Sequence, residues 1–285
     1  MKWLVTGATG KLGGLVVEKL LETVPADRLA VSVRRPEKAE RLRARGVDVR
    51  RGDFDDPASL DRAFAGVERI LIISTDGDNE TRIRQHTNAV EAAVRAGVSF
   101  IAYTSLANAG ATRLPLAPPH QAAEKAIASS GIPHAILRNN WYLENELGAI
   151  QAVMNGSPWV TSAGAGKVGW ALRREYAEAA ANALARGGRE SRIYELSGRP
   201  ATQDELAAAL GDVLGRNVPV QHVDDETYAD IMKKAGTPEP VVPFLVAIQK
   251  GIREGSLDVD SRDLETLLGR PPLSLRDALK ELVGR

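Results

Sequence analysis

Short apolar runs and stretches of helical periodicity alternate through the first half of the chain. An apolar run at 3–5 stops at a glycine turn, and residues 12–23 place Leu12, Val16, Val17, Leu20 and Leu21 on one helix face. A strand follows at 29–33, then a charged helix at 36–46 closed by Gly46, then a strand at 47–51. Asp56-Pro57 predicts the start of a helix ending near Gly66, because the carboxylate accepts the first free amides and proline tolerates the first helical position. Further strands are expected at 69–74, 100–105 and 134–138, with helices at 81–97 and 121–130.

This repetition implies a Rossmann-type α/β fold with a mostly parallel, doubly wound sheet. Beyond Tyr142 the pattern loosens. Residues 159–169 are glycine-rich and strand-like, 173–186 form an alanine-rich helix, 192–196 form a returning strand, and helices follow from Thr202. The expected division is a dinucleotide domain at 1–155, with 173–197 returning to it. Residues 156–172 and 198–285 then form a smaller C-terminal α/β lobe over the ligand cleft.

Composition narrows the class. The 285 residues are 44% hydrophobic and 26% charged, ordinary for a globular protein with a sizeable core. Thirty-seven basic residues balance thirty-seven acidic ones, so neither nucleic acid nor an anionic membrane is the expected partner. The absence of cysteine excludes disulfides, thiolate metal sites and cysteine nucleophiles. No His/Asp/Glu spacing resembles a metal site. The apolar stretch at 241–248 is broken by Pro243 and too short to span a bilayer. The first strand runs straight into the glycine turn with no room for a signal peptide, so a cytoplasmic location is expected.

Ligands of such sheets sit beyond the carboxyl ends of the strands. There the sequence reads Thr6-Gly7-Ala8-Thr9-Gly10-Lys11-Leu12-Gly13. Gly7 permits the tight turn, Gly10 lets the backbone approach a pyrophosphate, Gly13 lets helix and strand pack, and the free amides of the helix start face the phosphates. The second strand ends Val33-Arg34-Arg35-Pro36, with Lys38 close behind, where an NAD enzyme usually carries a carboxylate. Residues 34–51 hold eight basic residues against three acidic ones. A guanidinium at Arg34 pairs with a 2′-phosphate, so NADPH is the expected cofactor. Arg41, Arg43 and Arg45 read as a solvated helix face. Asp53 either accepts from an adenine amino group or caps a turn, and Phe54 is placed to flank the ring.

Val5-Thr6-Gly7-Ala8-Thr9-Gly10, Val33-Arg34, Gly52-Asp53, Ala102-Tyr103-Thr104-Ser105, Leu137-Arg138-Asn139-Asn140-Trp141-Tyr142 and Tyr194-Glu195-Leu196 together resemble the NmrA-like atypical short-chain dehydrogenases. Among these the chain looks most like the bacterial NADPH:quinone oxidoreductases of type 2 and the related triphenylmethane reductases. The resemblance spans nearly the whole chain. It implies an NADPH-dependent reductase of quinones or dye-like planar acceptors, and it is compatible with a homodimer.

Ordinary short-chain dehydrogenases use a Tyr-x-x-x-Lys pair to donate a proton. The residues four places after the five tyrosines are Ala107, Glu146, Ala180, Gly198 and Met232, so the pair is absent. Its place reads His120-Gln121-Ala122-Ala123-Glu124, as the resemblance leads one to expect. Without a proton donor, reduction of a simple ketone is disfavoured. A quinone or carbocationic dye accepts hydride readily, and proximity and orientation then suffice. His120 is the one side chain there able to supply a proton near neutral pH; packing beside the cofactor, or capping its helix, is the competing role. The remaining histidines, 86, 134 and 222, read as structural or solvent-facing.

Asn139 is expected to bond the nicotinamide carboxamide or a quinone oxygen. Trp141 and Tyr142 offer flat faces to a ring substrate, with core packing as the alternative for Trp141. Ser74, Thr75, Ser105 and Glu124 complete the expected cofactor contacts. A redox sensor that binds the dinucleotide without turnover, as some NmrA-like proteins are, fits the missing pair equally. A sugar-nucleotide epimerase fits it poorly.

Overall fold

The structure is a computed structural model and describes residues 2–284. In chain order its first part runs β1 (Lys2–Thr6), α1 (Lys11–Leu20), β2 (Leu29–Val33), α2 (Glu40–Ala44), β3 (Asp48–Arg51), α3 (Pro57–Phe64), β4 (Val67–Ile72), α4 (Asn79–Arg95), β5 (Phe100–Leu106), α5 (Ala117–Ser129) and β6 (His134–Asn139). Then come α6 (Leu147–Met154), β7 (Trp159–Thr161), β8 (Lys167–Val168), α7 (Arg173–Arg186) and β9 (Arg192–Leu196). The C-terminal part holds β10 (Ala201–Thr202), α8 (Gln203–Leu214), β11 (Val220–His222), α9 (Asp225–Lys234), α10 (Val242–Arg253), α11 (Asp263–Leu268) and α12 (Leu275–Val283).

Seven strands form one sheet in the order β3-β2-β1-β4-β5-β6-β9, and every pairing is parallel. This is the Rossmann-type α/β fold expected from the alternating pattern. The strand order reverses between β1 and β4, which opens a crevice at their carboxyl ends. The helices cover both faces. Leu12, Val16, Val17 and Leu20 of α1 pack with Tyr176, Ala180 and Leu184 of α7 on one side, and Leu264 and Leu267 of α11 join them. Leu60 and Phe64 of α3, Ala89 and Val90 of α4 and Ile127 of α5 pack on the other. The alanines of α7 let it approach the sheet closely.

A further apolar core draws on the C-terminal part of the chain and on α6, which the sequence reading placed in the dinucleotide domain. It gathers Ile150 and Val153 of α6, Trp159, Leu206 and Leu210 of α8, Ile248 and Ile252 of α10, and Leu279 of α12. Two short sheets, β8 with β10 and β7 with β11, brace it.

Three elements differ from the sequence reading. The fourth strand spans Val67–Ile72 rather than 69–74. It ends at Ile72 because the next amides, of Ile73 and Ser74, donate to the side chains of Thr6 and Thr104 instead of to a neighbouring strand. Ser74 and Thr75 therefore lie in the loop beyond it. Helix α5 begins at Ala117, because Pro118 and Pro119 fill its first turn, where no amide donor is needed. The expected helix at 36–46 is a 3-10 turn, Pro36–Ala39, followed by the short α2.

Candidate active site

The glycine turn has the geometry that phosphate binding needs. Gly7 sits at φ 62° and donates to Ser32 O, while Gly10 N–H donates to Gly7 O. A Cβ on Gly13 would lie 2.3 Å from Gly7 O, so only glycine lets α1 pack this close to the turn. Gly10 caps α1 without a side-chain hydrogen bond, and the first turn holds no acidic residue. Among the described residues the amides of Lys11, Leu12 and Gly13 have no partner, which leaves them for an anion at the positive end of the helix. Thr9 and Lys11 are exposed on the rim. The Leu12 side chain is buried in the core, so that residue offers only its amide.

The basic segment divides cleanly. Arg43 pairs with Glu40, Arg45 with Glu18, Arg50 with Asp48 and Arg51 with Asp56. Arg34, Arg35 and Lys38, exposed at the end of β2, have no ion pair among the described residues. Three of the segment's four cations without an ion pair thus stand together at the mouth of the crevice; the fourth, Arg41, is exposed on α2. Asp53 Oδ1 accepts from the Asp55 amide, closing a turn and leaving Oδ2 free. The Phe54 ring does not fit the expected role: it is 9% exposed and packs into the core with Leu60 and Phe64, because burying an apolar ring outweighs presenting it to solvent.

A buried polar cluster fills the space between α4, β5 and α5, and the sequence reading missed most of it. Arg82 faces His120 Nε2 at 3.1 Å, His120 Nδ1 and His86 Nδ1 each lie 3.2 Å from Tyr103 Oη, and His86 Nε2 accepts from the Thr75 amide at 2.9 Å. His86 is buried rather than solvent-facing. Burial, and then the Arg82 charge, press the His120 pKa down to about 3. Burial likewise lowers His86 to about 4. His120 is therefore neutral at pH 7 with both ring nitrogens engaged inside the protein. This geometry opposes its expected part as a proton donor and matches the packing alternative. The signal that could have found the cluster is helical spacing: Arg82 and His86 are four apart on the same face of α4 as the buried Ala89, Val90 and Ala93.

Glu124 accepts from Ser105 Oγ at 2.6 Å and pairs in bidentate fashion with Arg138, which also reaches Glu195. These carboxylates raise the Arg138 pKa further. Asn139 is buried; its Nδ2 donates to Tyr142 Oη at 3.1 Å, while its Oδ1 has no partner. An orphaned acceptor at the carboxyl end of β6 suits an amide donor. Asn140 is satisfied by Ser197, Leu257 and the Trp141 amide, so it is structural.

Tyr142 departs from expectation. Its hydroxyl is taken by Asn139, Arg173 stacks on its ring at 5.0 Å, and Tyr176 lies 5.1 Å away, so its face is not open to a substrate ring. Trp141 stays half-buried and packs partly against the lobe core, with its side chain on Glu146. Glu146, half-buried, also accepts from Trp170 Nε1 at 3.1 Å, and burial raises its pKa. Among the described residues there is no cluster able to hold a metal, and no helix long and apolar enough to cross a membrane.

Comparison with known proteins adds the family. Residues 7–186 match the model of a family described as NAD(P)H-binding. The chain is 40% identical to quinone oxidoreductase 2 of Escherichia coli, over 98% of this chain and 97% of that protein. Its fold superposes with a TM-score of 0.94 on the Citrobacter sp. triphenylmethane reductase complexed with NADP(H), at 42% identity over 99% of both chains. It superposes at 0.93 on the Escherichia coli NADPH-dependent quinone oxidoreductase complexed with NADPH, at 40% identity over 99% of both.

Proposed function

The chain belongs to the NAD(P)H-binding family, and we propose that it is an NADPH-dependent reductase of quinones and similar planar acceptors. The observation that carries this reading is the engaged state of His120 and Glu124, which stand where a proton-donating pair would be. The bound dinucleotide supplies the hydride, and the acceptor takes it directly.

The protein's own work is positioning. The amides of Lys11, Leu12 and Gly13 hold the pyrophosphate, and Arg34, with Arg35 and Lys38 beside it, holds the 2′-phosphate. Asn139 Oδ1 accepts from the nicotinamide carboxamide, and Tyr142 fixes the rotamer of Asn139. The part-exposed Trp141, on the side of the smaller lobe, is the flat wall left for the acceptor. Neither His120 nor Glu124 is free to act on the acceptor: both ring nitrogens of His120 are engaged, and Glu124 is held by Ser105 and Arg138. An acceptor whose reduced form is a stabilised phenolate or a neutral molecule needs no proton donor, and water supplies the proton afterwards.

The test is NADPH oxidation by the purified protein with and without a simple benzoquinone, against an NADH control. Quinone-dependent oxidation that prefers NADPH supports the proposal. Tight NADPH binding without turnover across quinones and cationic dyes overturns it in favour of a redox sensor.

A further inference from the structure

The loop leaving β4 runs beside the glycine turn: a Cβ on Gly7 would lie 3.7 Å from the Cβ of Ile73. Three consecutive amides of this loop are held by side chains of three different elements. Ile73 N–H donates to Thr6 Oγ1 of β1 at 2.9 Å, Ser74 N–H to Thr104 Oγ1 of β5 at 3.0 Å, and Thr75 N–H to His86 Nε2 of α4 at 2.9 Å. All three acceptor residues are buried. Loops at the carboxyl ends of strands commonly present free amides to ligand oxygens; here those amides are occupied from behind.

Proton inventory fixes the state of His86. A backbone N–H can only donate, so Nε2 carries no proton and Nδ1 carries it. That Nδ1–H faces Tyr103 Oη at 3.2 Å and Pro119 O at 3.5 Å. The far side of the cluster obeys the same logic. A guanidinium can only donate, so His120 Nε2 accepts from Arg82 and His120 Nδ1–H points to Tyr103 Oη. Arg82 has no carboxylate in ion-pair distance among the described residues, and its charge disfavours a second charge on either ring. The Thr75 amide on one nitrogen and the Pro119 carbonyl on the other thus hold His86 in the one tautomer able to accept from Thr75.

We propose that Thr6, Thr104 and His86 are positioning residues that lock the β4 loop beside the dinucleotide crevice with its amides turned inward, so that it forms no oxyanion hole. Such a wall turns its Ser74 and Thr75 hydroxyls inward as well, 3.3 Å from Thr104 Oγ1 and 3.2 Å from His86 Nε2. It offers nothing to the alkoxide that reduction of a simple ketone would generate. The lock therefore narrows the acceptors to molecules whose reduced form needs no backbone donor; this consequence rests on the reductase reading, whereas the lock itself does not.

The experiment follows hydrogen exchange of the Ile73, Ser74 and Thr75 amides, and NADPH affinity by fluorescence titration, in Thr6→Val, Thr104→Val, His86→Leu and His86→Gln. Each valine variant removes one acceptor at nearly constant shape, and exchange at its own partner amide is expected to accelerate about tenfold or more, with NADPH Kd rising by about the same factor, the scale set by stranding one buried donor. His86→Leu should do this at Thr75, and His86→Gln, whose Oε1 can accept from the same amide, should restore protection and affinity towards those of the parent protein. Unchanged exchange and affinity in the valine variants overturn the lock, as does glutamine behaving no better than leucine. If His86→Leu does not fold, the two valine variants carry the test alone. Protected amides that respond in this pattern, in a protein that oxidises no NADPH with quinones, would uphold the lock while the reductase reading fell.

Discussion

Arg34 stands exposed at the end of β2 without an ion pair among the described residues, so its removal takes away charge and little packing. Arg34→Ala is expected to raise the NADPH Kd by about ten- to a hundredfold, the range for charge-assisted hydrogen bonds, while barely changing that of NADH. Titration with both dinucleotides checks this, and an equal loss for both would remove the 2′-phosphate assignment. His120→Ala should cost about 1–3 kcal/mol of stability, because Arg82 and Tyr103 lose a buried partner, yet leave quinone turnover per folded molecule nearly intact. A collapse of turnover with unchanged NADPH affinity would make His120 catalytic after all. Arg34 was legible in the sequence because a cation replaces the expected carboxylate at a strand end. The unpartnered Oδ1 of Asn139, the occupied ring of Tyr142 and the buried Phe54 were not legible. Each depends on which neighbour reaches the side chain first, and residue type alone does not specify that.

Among the elements, the strand–turn–helix at the start of the chain forms the proposed phosphate site, and its two later glycines should behave differently. A Cβ on Gly13 would meet Gly7 O at 2.3 Å, whereas one on Gly10 would meet it at 3.2 Å. Gly13→Ala is expected to push α1 outward, costing roughly 1–3 kcal/mol as overpacking does and abolishing tight NADPH binding; Gly10→Ala should be milder on stability. Thermal melts and NADPH titration separate the two, and equal effects on stability would contradict the packing role of Gly13. Most elements were readable because their periodicity, caps and closing glycines agreed. Asp56 caps α3 by accepting from Ser59 N–H, as its place before Pro57 suggested, and Gly46, Gly66 and Gly131 take the left-handed φ expected of closing positions. The reading slipped where tertiary contacts overrode local preference. β4 stops at Ile72 because the next two amides go to the side chains of Thr6 and Thr104, and α5 began four residues early because prolines suit a first turn.

At the scale of the whole molecule, the two buried imidazoles tie stability to pH. Their folded pKa values, about 4 for His86 and about 3 for His120, lie below the unfolded value of 6.5, chiefly through burial. Between these limits the unfolded chain binds more protons, so this contribution is fully present above about pH 6.5 and is lost as pH falls towards the folded values. Each group contributes a slope of up to about 1.4 kcal/mol per pH unit in that window. Urea unfolding at pH 7, 6 and 5 should show falling stability, flattened in a His86→Gln, His120→Gln double variant; constant stability from pH 7 to 5 would contradict neutral burial of the pair. The parallel, doubly wound sheet was legible from the regular alternation, while the assembly of the smaller lobe was not, because its core draws on α6, α8, α10 and α12, which lie far apart in the chain. On the proposed reading this fold holds NADPH for direct hydride transfer without a protein proton donor. Single-turnover mixing of the protein–NADPH complex with a benzoquinone tests it most directly, comparing NADPH deuterated at the transferring C4 position with unlabelled NADPH, each in H2O and in D2O. Slower turnover with the labelled cofactor and no slowing by D2O are expected. A rate set by D2O, or one indifferent to the C4 label, would overturn direct hydride transfer.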